Sequence, residues 1–319
     1  MNRYLIGIRN NALYILLIAL VTTLTVLLLV REEKELIIIS RDYQYSIYHS
    51  DNYESIDIEV LTNMPSSYHF NQDYIIDTKF YNNEEELSIS IKDITISSNE
   101  IMYQDEPFYQ IVFAFKLPFV SNDLLIEMED VNLEIVYENM EKVSISIGEL
   151  NYLFKEVVPT SITLSNLSAT HEEVNGYNTI GGINLELVNN SSYNIMITDF
   201  KLLSKSVYIN KERVSTNKTC EYQSTTSSCL GIDYYDFYSD YNDTILNILL
   251  GKNNSTEFYL PLLYNNDSKF IYEFVIVIEY EINNQIEVMV IDDFPYMRTS
   301  IFNTFNEDDF NVYKFSNTD

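Results

Sequence analysis

Residues 13 to 30 read LYILLIALVTTLTVLLLV, an 18-residue run without a charge, a proline or a glycine, and no other stretch restricts the fold so firmly. As a helix the run is roughly 27 Å long at about 1.5 Å per residue, and Asn11 and Ala12 extend it toward the roughly 30 Å of a hydrocarbon core. A cleaved leader has a shorter apolar region, about 7 to 15 residues, closed by small side chains. Here Leu and Val run straight into Arg31-Glu32-Glu33-Lys34. The run is therefore expected to be an uncleaved signal anchor that crosses the cell membrane once. Arg3 and Arg9 precede it while Arg31, Lys34 and Arg41 follow, so the balance of positive charge does not choose an orientation.

The two cysteines bear on that choice. Cys220 and Cys229 are joined by a polar, Ser- and Thr-rich stretch. A bridge between them would restrict the unfolded chain by about 2.5 to 3 kcal/mol on the loop-entropy estimate, and it needs an oxidising compartment. Free thiols are the alternative reading. With a long acidic region behind a signal-anchor-like run, the expectation is that residues 1–12 are cytoplasmic and the bulk of the chain is extracytoplasmic.

Beyond the run the apolar pattern changes from continuous to alternating. In LSISIKDITI (87–96) Leu87, Ile89 and Ile91 fall on one side of a strand and Ser88, Ser90 and Lys92 on the other. VSISI (143–147), QIVFAFKL, FVIVIEY and IEVMVI are further short runs rich in β-branched and aromatic residues. No stretch after residue 31 keeps helical spacing. The expected class is all-β.

Two internal matches suggest a duplication. LEIVYENMEKVSISI (133–147) aligns with IVIEYEINNQIEVMV (276–290), placing Tyr137-Glu138 on Tyr280-Glu281, and a hairpin with a polar turn of four to five residues accounts for both. ISIKDITI (89–96) aligns with IMITDFKL (195–202), placing Asp93 on Asp199. The expected architecture is a single N-terminal transmembrane helix (13–30) followed by two tandem β-sandwich domains, immunoglobulin-like in the loose architectural sense. They would span about 36–156 and 157–298, with an insertion at about 210–250 and a polar tail at 299–319. Pro159 biases Val158 toward extended backbone and suits a stiff joint. An antibody domain in the strict sense would need an inter-sheet cysteine pair and a buried tryptophan, and the chain has no tryptophan.

The net charge of −29 repels a phosphate backbone, so nucleic acid is not an expected partner. A basic protein or cell-surface ligand is. The sequence holds no G-x-S-x-G, no H-E-x-x-H and no glycine-rich phosphate loop. His49, His69 and His171 are scattered and read as surface or turn residues, and Gly181-Gly182 reads as a turn before a strand. A carboxylate-dependent surface hydrolase is the least favoured function, because counting acids cannot find a pair that must be placed in space.

One segment carries candidate site residues. CEYQSTTSSCLGIDYYDFYSDYND (220–243) threads Asp233, Asp236, Asp240 and Asp243 through Tyr234, Tyr235, Phe237, Tyr238 and Tyr241. The acids can offer oxygens to Ca²⁺, although the EF-hand pattern is not met. The rings can offer rigid contact area to a partner. The plainer reading is an insertion folded over a sheet edge. The expected function is a non-enzymatic, membrane-anchored binding or assembly protein. The second expectation is an accessory subunit of a membrane transport or secretion complex, with Thr22, Thr23 and Thr25 available for contacts between helices.

Overall fold

The computed structural model describes residues 20–21, 35–49, 55–118, 123–155, 160–174, 177–205, 207–216, 233–235, 245–265, 270–271, 274–292 and 309–315. Apart from helical Leu20 and Val21 and three single-turn 3₁₀ helices, every regular element among them is a strand. The rest of the apolar run, both cysteines and the 156–159 joint lie outside the described residues. No described helix is long and apolar enough to cross a membrane.

The first eight strands are β1 (Leu36–Ser40), β2 (Tyr43–His49), β3 (Ser55–Thr62), β4 (Ile75–Tyr81), β5 (Glu86–Tyr103), β6 (Glu106–Lys116), β7 (Leu124–Tyr137) and β8 (Lys142–Phe154). The next eleven are β9 (Ile162–Val174), β10 (Tyr177–Asn189), β11 (Ile195–Leu202), β12 (Val207–Ile209), β13 (Ser215–Thr216), β14 (Asp233–Tyr235), β15 (Ile248–Leu250), β16 (Ser255–Asn265), β17 (Phe270–Ile271), β18 (Ile276–Ile282) and β19 (Gln285–Ile291). β20 (Asn311–Phe315) is the last.

Strands β1 to β8 form one continuous sheet that bends into two layers. β5 makes the bend: Glu86–Ile89 pair with β4, and from Ser90 onward the same strand pairs with β6, with a bulge between Ile91 and Asp93. A bulge adds a residue on one side of a ladder and turns the strand, which moves β5 from one layer to the other. The layers run β5-β6-β3-β1 and β2-β8-β7-β4-β5. Between them pack fully buried Tyr45, Phe80, Phe108, Phe113, Phe115, Tyr137 and Tyr152, each such side chain contributing about 1.5–3 kcal/mol by leaving water. The second core, from Ile162 to Ile291, lies between β12-β16-β10-β9 and β15-β11-β18-β19. In antibody-domain lettering both bodies read D-E-B-A against C-F-G, and in the first β2 adds an A′ strand parallel to G. The immunoglobulin-like order is thus a property of the pairing, reached without tryptophan.

The hairpin match holds in the topology, since β7–β8 and β18–β19 are the F and G strands of their bodies. The expected turn does not hold for both. Residues 138–141 link the first pair, whereas Asn283 and Asn284, at φ 53° and 61°, close the second in a two-residue turn. The other match is corrected: 89–96 lies in β5, while 195–202 is strand C of its body. The counterpart of β11 is β4, and both carry the same bulge opposite strand F, between Ile75 and Asp77 and between Ile197 and Asp199. Alternation alone could not separate neighbouring strands of one sheet.

Three more expectations change. Gly181 and Gly182 lie within β10 and not in a turn, Gly182 pairing with Pro261 and Thr170, and the Tyr259 ring occupies the place a Cβ at 182 would take. His49 is buried at the end of β2, neither on the surface nor in a turn, and His69 lies in the 3₁₀ turn Tyr68–Phe70 but is buried as well, each at 2% exposure. The expected tail includes β20, which pairs along its whole length with β1, from Leu36↔Phe315 to Ser40↔Asn311. Arg41 anchors it, 3.2 Å from Asp309 and stacked over Phe310.

The two bodies share a polar seam. β17 runs parallel to β2, Ser46 Oγ donates to the Leu203 carbonyl at 2.5 Å, and Ser204 Oγ donates to Gln44 Oε1 at 2.7 Å. Glu149 Oε1 accepts from the Lys205 backbone N–H at 3.0 Å and from Asn151 Nδ2 at 2.7 Å. Tyr48, Leu203 and Val275 pack beside these bonds. Buried polar groups with satisfied partners specify one docking geometry more strictly than apolar contact does.

Candidate binding surface

The insertion that drew attention in the sequence is described only at β14. Asp233–Tyr235 pair in parallel with Leu263–Asn265 of β16. β12 holds one edge of Leu262–Tyr264, and β10 leaves the other edge at Gly182↔Pro261, so β14 fills the vacated edge. Cys220, Cys229, Asp236, Asp240, Asp243, Phe237, Tyr238 and Tyr241 lie outside the described residues, as do the side chains of Asp233, Tyr234 and Tyr235. Among the described residues no group of three or more His, Cys, Asp or Glu could hold a metal ion.

The exposed large apolar side chains of the second body, among the described residues, are Tyr193, Ile245, Leu249 and Ile286, and the last two lie on the β15-β11-β18-β19 sheet. Ile276, Ile278, Tyr280 and Ile282 face the core, so Val277, Glu279 and Glu281 face outward on the same strand. Pairing sets one row across four strands: Leu249 opposite Met196, Met196 opposite Glu281, and Glu281 opposite Ile286. Leu249 is 58% exposed and Ile286 75%. The next row places Glu279 opposite Val288, and the third places Lys201 opposite Val277 and Val277 opposite Val290. Side chains on a solvated sheet face are ordinarily polar. This face is apolar at Leu249, Met196, Ile286 and Val288, with carboxylates between.

Its one lysine is engaged. Lys201 Nζ lies 2.8 Å from Glu279 Oε1 and 3.3 Å from Asp199 Oδ2, while Lys211 Nζ reaches Asp199 Oδ1 at 2.7 Å. Burial alone would pull Lys201 down, but Glu279 and Asp199 outweigh it and hold the ammonium above its ordinary value. Beneath the face, Tyr280 donates to Glu287 Oε2 at 2.6 Å and accepts from the Ser161 N–H at 3.0 Å. Burial, then the Glu287 hydrogen bond, pushes its phenol up.

A second cluster ties two loops of the first body together. Ser67 Oγ lies 2.7 Å from His69 Nδ1, and His69 Nε2 faces Glu141 Oε1 at 3.3 Å. Tyr68 donates to Glu141, Asn139 Nδ2 donates to the Tyr68 hydroxyl at 3.1 Å, and Tyr137 donates to the His69 carbonyl at 3.0 Å. Burial lowers the His69 pKa more than Glu141 raises it, so the ring is neutral near pH 7. The network assigns its proton to Nε2, with Nδ1 accepting from Ser67. The serine-histidine-carboxylate order is that of an acyl-transfer relay, yet the histidine lies under Tyr68 at a ring separation of 4.1 Å. The arrangement braces the B–C loop on the F–G turn.

The outward row was missed in the sequence because FVIVIEY and IEVMVI are apolar at both parities. That pattern reads as a strand buried on both faces, and only pairing reveals that one face is open.

No protein-family model matches the sequence, and no curated protein matches it. Solved structures with a similar chain course include the Streptococcus agalactiae AgI/II polypeptide BspA C-terminal domain, at 10% identity over 80% of this chain and 99% of that one, TM-score 0.20. A putative membrane anchored protein from Corynebacterium diphtheriae is 9% identical over 90% of this chain and 60% of that one, TM-score 0.24. A marsupial T cell receptor is 9% identical over 82% and 96%, TM-score 0.20.

Proposed function

We propose that this is a non-enzymatic, membrane-anchored contact protein: residues 13–30 hold it in the membrane, the two bodies lie outside the cell, and the open C-F-G face of the second body binds a partner protein. The observation that carries the reading is the cross-strand row Leu249–Met196–Glu281–Ile286, whose end residues are both more than half exposed. Isolated apolar side chains on a surface are ordinary; an aligned row on a sheet face is the composition of an interface. Interspersed Glu279 and Glu281, with a net charge of −29, select a basic counterpart. The test is crosslinking and affinity capture from intact membranes with the full chain and with Leu249→Asp and Ile286→Asp. The reading holds if one partner is captured by the full chain and lost by both variants; it fails if capture is unchanged.

The accessory-subunit reading has its own support. Asn63 accepts from the Ile37 N–H at 2.9 Å and donates to the Glu35 carbonyl at 3.0 Å, fastening the B–C loop to the start of β1. The five residues from the end of the apolar run at Val30 to Glu35 span at most about 18 Å. The braced B–C and F–G loops would then sit near the bilayer, within reach of a multi-span protein. Capture of a multi-span partner that survives Ile286→Asp but is lost on Tyr68→Ala would favour this reading.

A further inference from the structure

The sheets protect most of their edges. β17 adds to β2, β20 covers β1, and β12, β13 and β14 line β16. Two long strands have no outer partner among the described residues: β9 pairs with β10 alone, through a ladder with register shifts at Ile180/Gly182 and Glu186/Leu187, and β19 pairs with β18 alone, in unbroken register from Ile282↔Gln285 to Ile276↔Ile291.

The turn fixes which backbone groups face the open side of β19. In a hairpin closed by two residues, the pair flanking the turn is hydrogen-bonded, and bonded pairs alternate from there. Gln285, Glu287, Met289 and Ile291 therefore spend their N–H and C=O groups on β18. Ile286, Val288 and Val290 aim theirs outward. Natural edges of this length carry a lysine, a proline, a bulge or a covering segment against unwanted pairing. QIEVMVI has no lysine and no proline, and its pairing with β18 runs without a bulge.

We propose that β19 is a docking edge that receives an extended segment of the partner as an added strand, with main-chain bonds to Ile286, Val288 and Val290. This rests on the contact-protein reading and specifies how the partner is held. On the outer face the incoming side chains would lie beside Ile286 and Val288 and be apolar. Charge selects the rest: alternate incoming side chains fall on the opposite face, beside half-buried Glu287 of β19 itself, so lysine or arginine there gains a complementary contact. A second copy of this chain is disfavoured by the same argument, because it would set carboxylates against carboxylates.

The test uses the full chain in detergent with two synthetic peptides, one alternating valine with lysine and one alternating valine with glutamate. The expected result is saturable binding of the lysine peptide alone, with amide exchange at Ile286, Val288 and Val290 slowed by about tenfold or more. Val288→Pro, which removes one outward donor and leaves the β18 ladder intact, is expected to weaken binding by about five- to tenfold, since one hydrogen bond is lost. Unchanged exchange at these amides, equal binding of both peptides, or indifference to Val288→Pro overturns strand addition. If Ile286→Asp still abolishes partner capture in that case, the contact face survives and only the mode of docking falls. Self-association of the full chain that Val288→Pro removes would assign the edge to a second copy and also overturn the proposal.

Discussion

Tyr137 and Tyr280 occupy corresponding places in two bodies: each lies on strand F opposite an isoleucine of strand C that is followed by a bulge and an aspartate. Both hydroxyls are buried and bonded, but to different ends. Tyr137 donates to the His69 carbonyl, and Tyr280 to the Glu287 carboxylate. The duplicated position thus does loop bracing in one body and sheet-face support in the other.

The two phenols should differ in worth. A bond to a charged acceptor contributes about 1.5–3 kcal/mol and a neutral one about 1 kcal/mol. Tyr280→Phe is expected to cost more stability than Tyr137→Phe by about 1 kcal/mol, measured by urea unfolding of the full chain in detergent.

The brace at His69 makes the first body sensitive to acid. The His69 pKa lies below its ordinary 6.5, lowered by burial, so the unfolded chain takes up a proton before the folded one does. Stability is complete above about 6.5 and declines as pH falls from there toward the folded value. For Glu141, burial raises the pKa, but hydrogen bonds from Tyr68, His69 and Asn139 outweigh it and leave the group below 4.5. Its contribution is present above 4.5 and is lost as pH falls through the folded value, so both groups act in the same direction. His69→Gln should flatten the melting temperature between about pH 6.5 and pH 5 while leaving the decline below it; a decline of the first kind that persists in the variant would place its origin elsewhere.

Two glycines are predicted to resist substitution for different reasons. Gly148 has φ +103° and lies against the Tyr43 backbone, so Gly148→Ala meets both strain and a clash that no side chain can relieve. Gly182 meets only the Tyr259 ring. Each alanine is expected to cost about 1–3 kcal/mol, and adding Tyr259→Leu should rescue Gly182→Ala alone. Equal rescue of both would contradict the backbone argument.

Removal of residues 309–319 uncovers the β1 edge, including buried Ile38 and Ile39. The truncated chain is expected to aggregate on a sizing column and to melt lower than Arg41→Ala, which loosens the Asp309 contact only.

The β character was legible because alternation in 87–96 and 143–147 states directly which side chains leave water. The F–G hairpins were legible through Tyr137 and Tyr280, whose positions are fixed by burial in both bodies. Strand C was not. Ile75-Ile76-Asp77 breaks alternation at its bulge, so the better-alternating β5 took its place in the comparison with β11. Asn189 shows the same limit: in the sequence it is one of many asparagines, yet its side chain is fully buried, with Nδ2 donating to the carbonyls of Tyr193, Leu250 and Gly251 as an internal clasp. The open face of the second body escaped for a related reason, since a strand apolar on both sides does not say which side lacks a neighbour.

The antiparallel pairing of β1 with β20 has a mechanical meaning. If the chain is held at the N-terminal end of β1 and pulled at the second body, which leads into the N-terminal end of β20, the two strands are drawn past each other lengthwise. Tension then falls on all five residue pairs at once, as in shear, and cannot peel them apart singly. A returning strand of five residues would thus resist a lengthwise tug yet part pair by pair when drawn aside at Phe315.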